Sequence, residues 1–403
     1  MGFQQGLSGL NAASKSLEVT GNNVANSSTI GFKGAKAEFA DVYAASLTGG
    51  GSTQVGIGTA VGGVVQQFTQ GNVTASNNPL DIAINGGGFF RMSTNGTIDY
   101  SRNGQFQLDK FGHIVNAQGA RLTGYVADSK GVLATGAPAD ITISTADQSP
   151  QMTSKVKLLV NLDSRETVPA TAVFSPTDST SYNRSTAISV FDSLGNSHVV
   201  QGYFVKTAAN TFDVYQAVDG AVPAAKLGSL AFASDGTLTT AQPFAAVPVT
   251  LTNGATPLNF TIDMSGTTQF GAPFGLNSES QDGFTSGKLS GFNTGSDGII
   301  TGRYTNGKSA TLGQVVLANF TDPNGLQNLG NNLYAETSAS GGPLIGTPTS
   351  GSLGVLQSSA VEESNVDLTA ELVNLITAQR FYQANAQTIK TQDQVLQTLV
   401  NLR

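Results

Sequence analysis

Both ends of the chain carry one hydrophobic rhythm, and the long stretch between them carries almost none of it. Near the start, Phe3, Leu7, Leu10, Ser14, Leu17, Gly21 and Val24 follow one another at alternating spacings of four and three. Toward the end, Leu368, Leu372, Leu375, Gln379, Tyr382, Ala386, Ile389, Asp393, Leu396 and Val400 keep the same alternation unbroken. This is the a/d pattern by which one helix seats against another, so the two ends are predicted to form one α-helical coiled coil. The run from Asp367 to Arg403 makes a helix of roughly 50 Å at about 1.5 Å per residue. Its single narrow apolar stripe needs a partner. Either the tails pair within one chain as a helical hairpin, or they are mobile in the free subunit and become ordered when subunits assemble. The seam is expected at Leu7, Leu10, Leu17 and Val24 on one side and Leu372, Leu375, Tyr382, Ile389 and Leu396 on the other. Gln379 and Asp393 also fall on it, either fixing register as buried polar residues do or facing water.

Between the tails the punctuation is that of β structure. Residues 29–71 are irregular and Gly-rich, with Phe32, Phe39 and Tyr43 as aromatic anchors, and read as an extended arm. From about residue 72 strand signals begin: FFRMST, Asn95-Gly96, TIDYSR, Asn103-Gly104 and QFQLD. Asn-Gly between alternating runs is a strong short-range hairpin signal. The middle, 146–284, has its own strands, KVKLLVNL, STAISVFD, HVVQGYFVK, TFDVYQAV and NFTIDM, with Asn210, Asp219-Gly220 and Asp235-Gly236 at turns. Short strands with regular turns suggest a sandwich or small barrel. Strand signals resume after it, joined by Asp297-Gly298 and Asn306-Gly307. If the tails pair, the segments next inward are also brought together, so the middle is an insertion. The expected fold is mixed: a terminal helical coiled coil (1–28 and 366–403), a linking arm (29–71 and 358–365), a first predominantly β domain (72–145 and 285–357), and a second β domain inserted in it (146–284).

Composition narrows the function. At 403 residues the chain is too long for one ordinary core. Charged residues are only 12%, so Ser, Thr, Asn, Gln and Gly must cover much of the surface, which suits subunit packing without repulsion. A net charge of -7 with no Lys/Arg cluster argues against nucleic acid and anionic membranes. No apolar run is long enough to span a bilayer, and no basic, then apolar leader opens the chain, so no cleavable export signal and no membrane insertion are expected. Zero cysteines exclude disulfides and thiolate metal sites.

Catalytic readings fare poorly. The two histidines are His113 and His198, and Asp192, Ser193 and His198 lie close in sequence. A Ser-His-Asp site is defined by three-dimensional geometry, however, and FDSLGNSHVV reads as strand, turn, strand. GIGTAVGG lacks the third glycine of the dinucleotide fingerprint and opens no helix, and Gly86 to Gly88 fit a tight turn. Two histidines without cysteine make a transition-metal site a poor fit, and no calcium-loop pattern is present. No cofactor, metal or catalytic residue is expected. A carbohydrate-active enzyme would show aromatic platforms and paired carboxylates, whereas this chain has no Trp and scattered acids. A secreted β-rich adhesin would need an export signal and an anchoring segment.

The stretch SGLNAASKSLEVTGNNVANSSTIGFKGAKAEFADVY, with Asn-Asn-x-Ala-Asn followed by Thr-x-Gly-Phe-Lys, resembles the N-terminal signature of the flagellar rod, hook and hook-associated axial proteins. ESNVDLTAELVNLITAQRFYQANAQTIKTQDQVLQTLVNLR is similar to the C-terminal signature of the same family. Asn22, Asn23, Asn26, Gly31, Phe32 and Lys33 are the residues that match at the helix end and start of the arm. Ordinary helix termination is the plainer reading of the Asn cluster, since Asn tolerates left-handed geometry and competes for backbone hydrogen bonds. Within the family, the length, the inserted middle and HVVQGYFVK most resemble the hook proteins. Distal rod proteins are shorter and remain the alternative.

The resemblance implies a structural subunit, not an enzyme. Hook proteins are exported unfolded through the flagellar type III apparatus and polymerise at the distal tip under a hook cap. The product is a short curved tube outside the cell, a universal joint passing torque from rod to filament. The implied partners are further copies in a helical homopolymer, the distal rod protein, the hook cap protein, the hook–filament junction protein and the export apparatus. The paired helices would line the channel, the arm and first β domain would form the middle layer, and the inserted domain would lie outside. Bending requires subunit contacts to slide. Weakly charged surfaces suit sliding better than buried ion pairs, in which losing one partner costs several kcal/mol.

Overall fold

The computed structural model describes residues 2–42, 56–128, 131–144, 146–221, 225–244 and 248–401. As the fold class expected, a helix stands at each end of the chain and the remainder is mostly β. Tyr43, expected as an arm anchor, lies outside the described residues. Contacts divide the chain into two units: Met1–Ser144 with Gly291–Arg303 and Ser309–Arg403, and Thr145–Ser290 with Tyr304–Lys308. The helical ends, the arm and the first β region thus share one unit, because the arm is bonded on both sides rather than left as a free connector.

In this first unit, α1 (Gly2–Ala25) pairs with α2 (Leu368–Asn401). Small residues set the closing face. A Cβ at Gly6 would lie 3.0 Å from Ile389 Cγ1, and one at Gly9 would lie 2.6 Å from Asn385 Oδ1. Ala13 and Ala378 are buried on the same faces. The leucine stripe 3-7-10-14-17 lies one residue, about 100°, around α1 from this Gly6-Gly9-Ala13 stripe. Of the residues expected on the seam, Ile389 meets this face at Gly6. Leu7, Leu372, Tyr382 and Leu396 are 44%, 44%, 38% and 54% exposed. Leu10, Leu17, Val24, Leu375 and Ile389 are half-buried. Glycine and alanine let the two backbones approach, whereas leucines on both sides of the contact would hold them apart. Gln379 and Asp393 face water, and Asp393 accepts a hydrogen bond from Gln397 Nε2 at 3.0 Å.

The arm is not simply extended. It folds into a hairpin of β1 (Ala35–Val42) and β2 (Gly58–Gln66), antiparallel, with a bulge at Glu38/Phe39. GIGTAVGG therefore runs into a strand and is no phosphate loop. Phe39 is exposed and Phe32 half-buried, so neither is a core anchor. Phe68 takes that role, meeting the rings of Phe89 and Tyr334 edge-on at 5.4 and 5.5 Å in a cluster completed by Tyr100 and Phe320.

The first β region is a 13-stranded sheet assembly whose chain-distant strands interleave. Asn95 (φ 53°) and Gly96 (φ 92°) close the hairpin Phe89–Thr94/Thr97–Ser101, where left-handed geometry favours these residues. Gly307 (φ 76°) closes another between Ile299–Tyr304 and Ser309–Val315. Asn103-Gly104, also expected as a hairpin, is not one. The following strand, Gln107–Leu108, pairs with Ile114–Val115, and Gly104 instead lets the chain pass close to Ile82, whose N–H donates to Gly104 O at 2.9 Å.

The second unit is a β-sandwich. One sheet is an antiparallel four-stranded meander, Arg184–Phe191, Ser197–Ala208, Thr211–Val218 and Ala225–Ala231, and the other is three-stranded, Thr261–Asp263, Lys155–Asn161 and Gly275–Gln281. Alternation along each strand supplies the shared core, including Val156, Leu158, Val190, Phe204, Phe212, Leu230, Leu258 and Met264.

Candidate functional site

The signature residues converge where the two chain ends meet. α1 ends in a capped turn: Asn26 Nδ2 donates to Asn22 O at 3.0 Å, and Thr29 Oγ1 donates to Asn26 Oδ1 at 3.2 Å. Helix termination thus accounts for Asn22 and Asn26. Asn23 does something further. It is buried, its Nδ2 donates to Ala35 O at 2.8 Å, and its Oδ1 accepts from Ala35 N at 2.9 Å. The side-chain amide stands in for a strand partner and fixes the start of β1 on the helix.

Gly31 lies at φ 70°, and its N–H donates to Glu362 O at 2.7 Å. A Cβ there would come within 2.7 Å of the Asn103 backbone, so glycine is required both by conformation and by space. Phe32 donates its N–H to Thr29 O at 3.2 Å. The turn delivers Lys33 into the interior, where its Nζ donates to Glu362 Oε1 at 2.8 Å and to Thr69 O at 2.7 Å.

Glu362 ends the strand Ala360–Glu362, which pairs antiparallel with β3 (Val73–Ala75). Its Oε1 also accepts from Gly71 N at 3.0 Å, and its Oε2 faces Arg102 Nη1 at 3.5 Å, an ion pair rather than a hydrogen bond. Arg102 Nη2 donates to Gly86 O at 2.8 Å, with the guanidinium 5.6 Å from the Phe89 ring centroid. All three charged side chains are at least 96% buried, their exposures being 0% and 1% for Lys33 and Glu362 and 4% for Arg102. Burial pulls the Lys33 ammonium and the Arg102 guanidinium below their ordinary pKa, and the Glu362 carboxylate opposes both shifts. Asn365 completes the clasp: Oδ1 accepts from Gly34 N at 2.8 Å, and Nδ2 donates to Gln67 O at 2.6 Å and to Thr69 O at 3.1 Å.

Glu362, Arg102 and Asn365 were not singled out from sequence. Lys33 and Glu362 stand 329 residues apart, and no local period encodes such a pairing. The available signal is an acidic pair, Glu362-Glu363, directly after the apolar pair Ala360-Val361 and ahead of the chain's final helix.

Elsewhere the catalytic readings dissolve. Both ring nitrogens of His198 face carboxylates, Asp219 at 2.6 Å and Asp192 at 3.3 Å, while Ser193 Oγ accepts from Thr256 N at 3.0 Å. No imidazole nitrogen is left to take a serine proton. Among the described residues there is no cluster of metal-ligating side chains, and no helix is long and apolar enough to cross a membrane.

A buried clasp between chain ends, on a helix pair with leucines left outward, is architecture for assembly. Comparison with known proteins agrees. Family profiles match along the chain: "Flagella basal body rod protein" over 3–33, "Flagellar hook protein FlgE/F/G D1 domain" over 83–157, "Flagellar basal body protein FlaE D2 domain" over 161–284, and "Flagellar basal body rod FlgEFG protein C-terminal" over 357–402. The flagellar hook protein FlgE of Salmonella typhimurium is 44% identical over 414 aligned residues, covering 100% of both chains. The chain belongs to the flagellar hook protein family. The hook protein FlgE of Escherichia coli is 42% identical over 412 residues, again covering 100% of both chains. That of Rhizobium meliloti is 33% identical over 415 residues, covering 100% of this chain and 98% of its own. In fold, the Helicobacter pylori hook protein FlgE2 is similar with a TM-score of 0.54 at 14% identity, covering 72% of this chain and 99% of that one. Members of the hook protein family are structural subunits, and this chain is not an enzyme.

Proposed function

We infer that this chain is the structural subunit of a bacterial flagellar hook and polymerises with itself into a short curved tube that serves as a universal joint between rod and filament. The observation that carries this reading is the helix pair. It closes through Gly6, Gly9, Ala13 and Ala378 while Phe3, Leu7, Leu372, Val373, Ile376 and Leu396 remain 44–58% exposed. An apolar stripe of this length on a closed pair is a surface for neighbouring copies. The leucine seam read from sequence, Leu7, Leu10, Leu17 and Val24 with Leu372, Leu375, Tyr382, Ile389 and Leu396, is then partly a contact between subunits. The rod below, the cap and the hook–filament junction above, and the type III export apparatus are the partners that an extracellular hook requires.

The test is electron microscopy of basal bodies from cells carrying an in-frame deletion of this gene. Complete rods ending without a hook, restored by the intact gene, are expected. Truncated rods would assign the chain to the distal rod, and complete flagella would overturn both readings. In a companion variant, Leu372→Asp with Leu396→Asp should leave the β units folded and abolish polymerisation.

A further inference from the structure

His198 opens the strand Ser197–Ala208 of the second unit with a carboxylate against each ring nitrogen. Nδ1 lies 2.6 Å from Asp219 Oδ2, and Nε2 lies 3.3 Å from Asp192 Oδ2. A neutral imidazole has one N–H and one lone pair. In either tautomer, the lone pair would point at a carboxylate oxygen. Only the imidazolium donates in both directions. We propose that His198 is a proton-operated latch that ties together the turns at this end of the sandwich, closed when protonated and released as the medium becomes alkaline.

The two groups it joins come from different turns. Asp192, in the turn after Arg184–Phe191, is fully buried, and its Oδ1 accepts from the backbone of Leu194 and Asn196 at 2.9 and 2.8 Å. Its Oδ2 accepts from Asn196 Nδ2 at 2.9 Å and from Asn253 Nδ2 at 2.6 Å. Asp219, in the turn after Thr211–Val218, sits at φ 51° with its side chain 50% exposed, and its other partner is Val199 N at 2.9 Å. Asp192 and Asp219 are the titratable groups facing the ring; the segment carrying Asn253 donates a neutral amide to Asp192.

The consequence is asymmetric. Asp192 keeps four donors whatever the histidine does, while Asp219 keeps one. The neutral ring keeps one N–H for two carboxylates. Because Asp192 is buried and held while Asp219 is half-exposed and able to turn to water, loss of the proton releases the Asp219 side chain. The Asp219-Gly220 turn is then left to its backbone bonds from Asp219 N to Val199 O and from Ala221 N to Val218 O. Burial alone would lower the basicity of His198, but the hydrogen bonds to Asp219 and Asp192 outweigh it and raise the pKa above the ordinary 6.5. For a group whose folded pKa is raised, the stabilisation is complete below the unfolded value and fades as pH climbs through the folded one. The latch is thus fully closed below pH 6.5 and opens above it.

The experiment is hydrogen exchange of the full chain as a function of pH, corrected for intrinsic rates, with the imidazole titration followed by NMR. His113 provides the internal comparison, and His198→Gln assigns the signals. His198 should titrate above 6.5, and opening at Asp219-Gly220 should rise by up to about tenfold per pH unit before levelling off. His198→Gln should make that opening independent of pH. Asp219→Asn, whose side-chain NH2 can donate to the lone pair of the neutral ring, should move the histidine back toward its ordinary pKa and remove the rise in opening with pH. A His198 titration at or below the ordinary value, or the same pH-dependent opening in His198→Gln, overturns the proposal.

Discussion

Replacing Glu362 with glutamine should be the most damaging conservative change in the clasp, and the structure says why. Lys33 and Arg102 share this one carboxylate in a buried setting. Removing one partner of a buried ion pair typically costs about 3–5 kcal/mol, because the other charge stays desolvated and uncompensated. The two cations respond differently. Lys33 is already pulled toward neutrality by burial and can shed its proton. Arg102 cannot, and it is left with Gly86 O and the face of Phe89. Glu362→Gln should therefore lie within that range, raising local opening by about two to three and a half orders of magnitude at about 1.4 kcal/mol per tenfold. Lys33→Met should cost less, about 1–3 kcal/mol. Glu362 then keeps Arg102 and the Gly71 N–H, and Thr69 O keeps the Asn365 amide. The double variant should cost less than the two single variants summed, since the sites share a partner. The assay is hydrogen exchange in increasing urea, read on peptides spanning 30–36 and 358–365 of the full chain. Equal costs for the two single changes, or a Glu362→Gln cost under about 1 kcal/mol, would refute the reasoning.

Gly31→Ala should cost at least about 2 kcal/mol, because it adds left-handed strain to a collision with the Asn103 backbone; a denaturation midpoint equal to that of the parent chain would contradict the geometry. Asn23→Ala removes both side-chain bonds to Ala35 and should cost about 1–3 kcal/mol, appearing as faster exchange in β1 with the β-sandwich unchanged. Acid should act on the second unit through its depressed carboxylates. Arg165, by its side-chain and backbone hydrogen bonds, holds the Asp163 carboxyl down at about 2, and hydrogen bonds hold Asp192, Asp219 and Asp282 below the usual range against burial. Groups with a depressed folded pKa stabilise above the unfolded value and lose that contribution as pH falls through the folded one. Circular dichroism of the unit should therefore hold down to about pH 4 and decline below it; a transition at higher pH would show that other groups govern acid stability.

The parts of the fold that sequence disclosed are those with local codes. Alternation of four and three marks both helices, and Asn-Gly at 95–96 and 306–307 marks two hairpins, since the left-handed backbone at Asn95, Gly96 and Gly307 favours those residues. Asn103-Gly104 carries the same code for a different reason: its glycine makes room for Ile82, a neighbour remote in sequence. The helix contact was obscured by a competing period, in which the larger leucines outshine a Gly-Gly-Ala stripe one residue away. The clasp was half visible. Gly31 and Lys33 stand within a recognisable motif, but their counterpart, Glu362, is an ordinary acid until the chain is closed, and only the finished topology gives it a role.

The manner in which the second unit is strung into the chain has a consequence of its own. Its entering and leaving segments run side by side, Gln148 bridging to Gly287 and Gln151 to Phe284. The module thus returns the chain to where it entered, with the turn Tyr304–Lys308 as its one further segment. A change of length inside it need not disturb the residues that bind the chain's two extremities together.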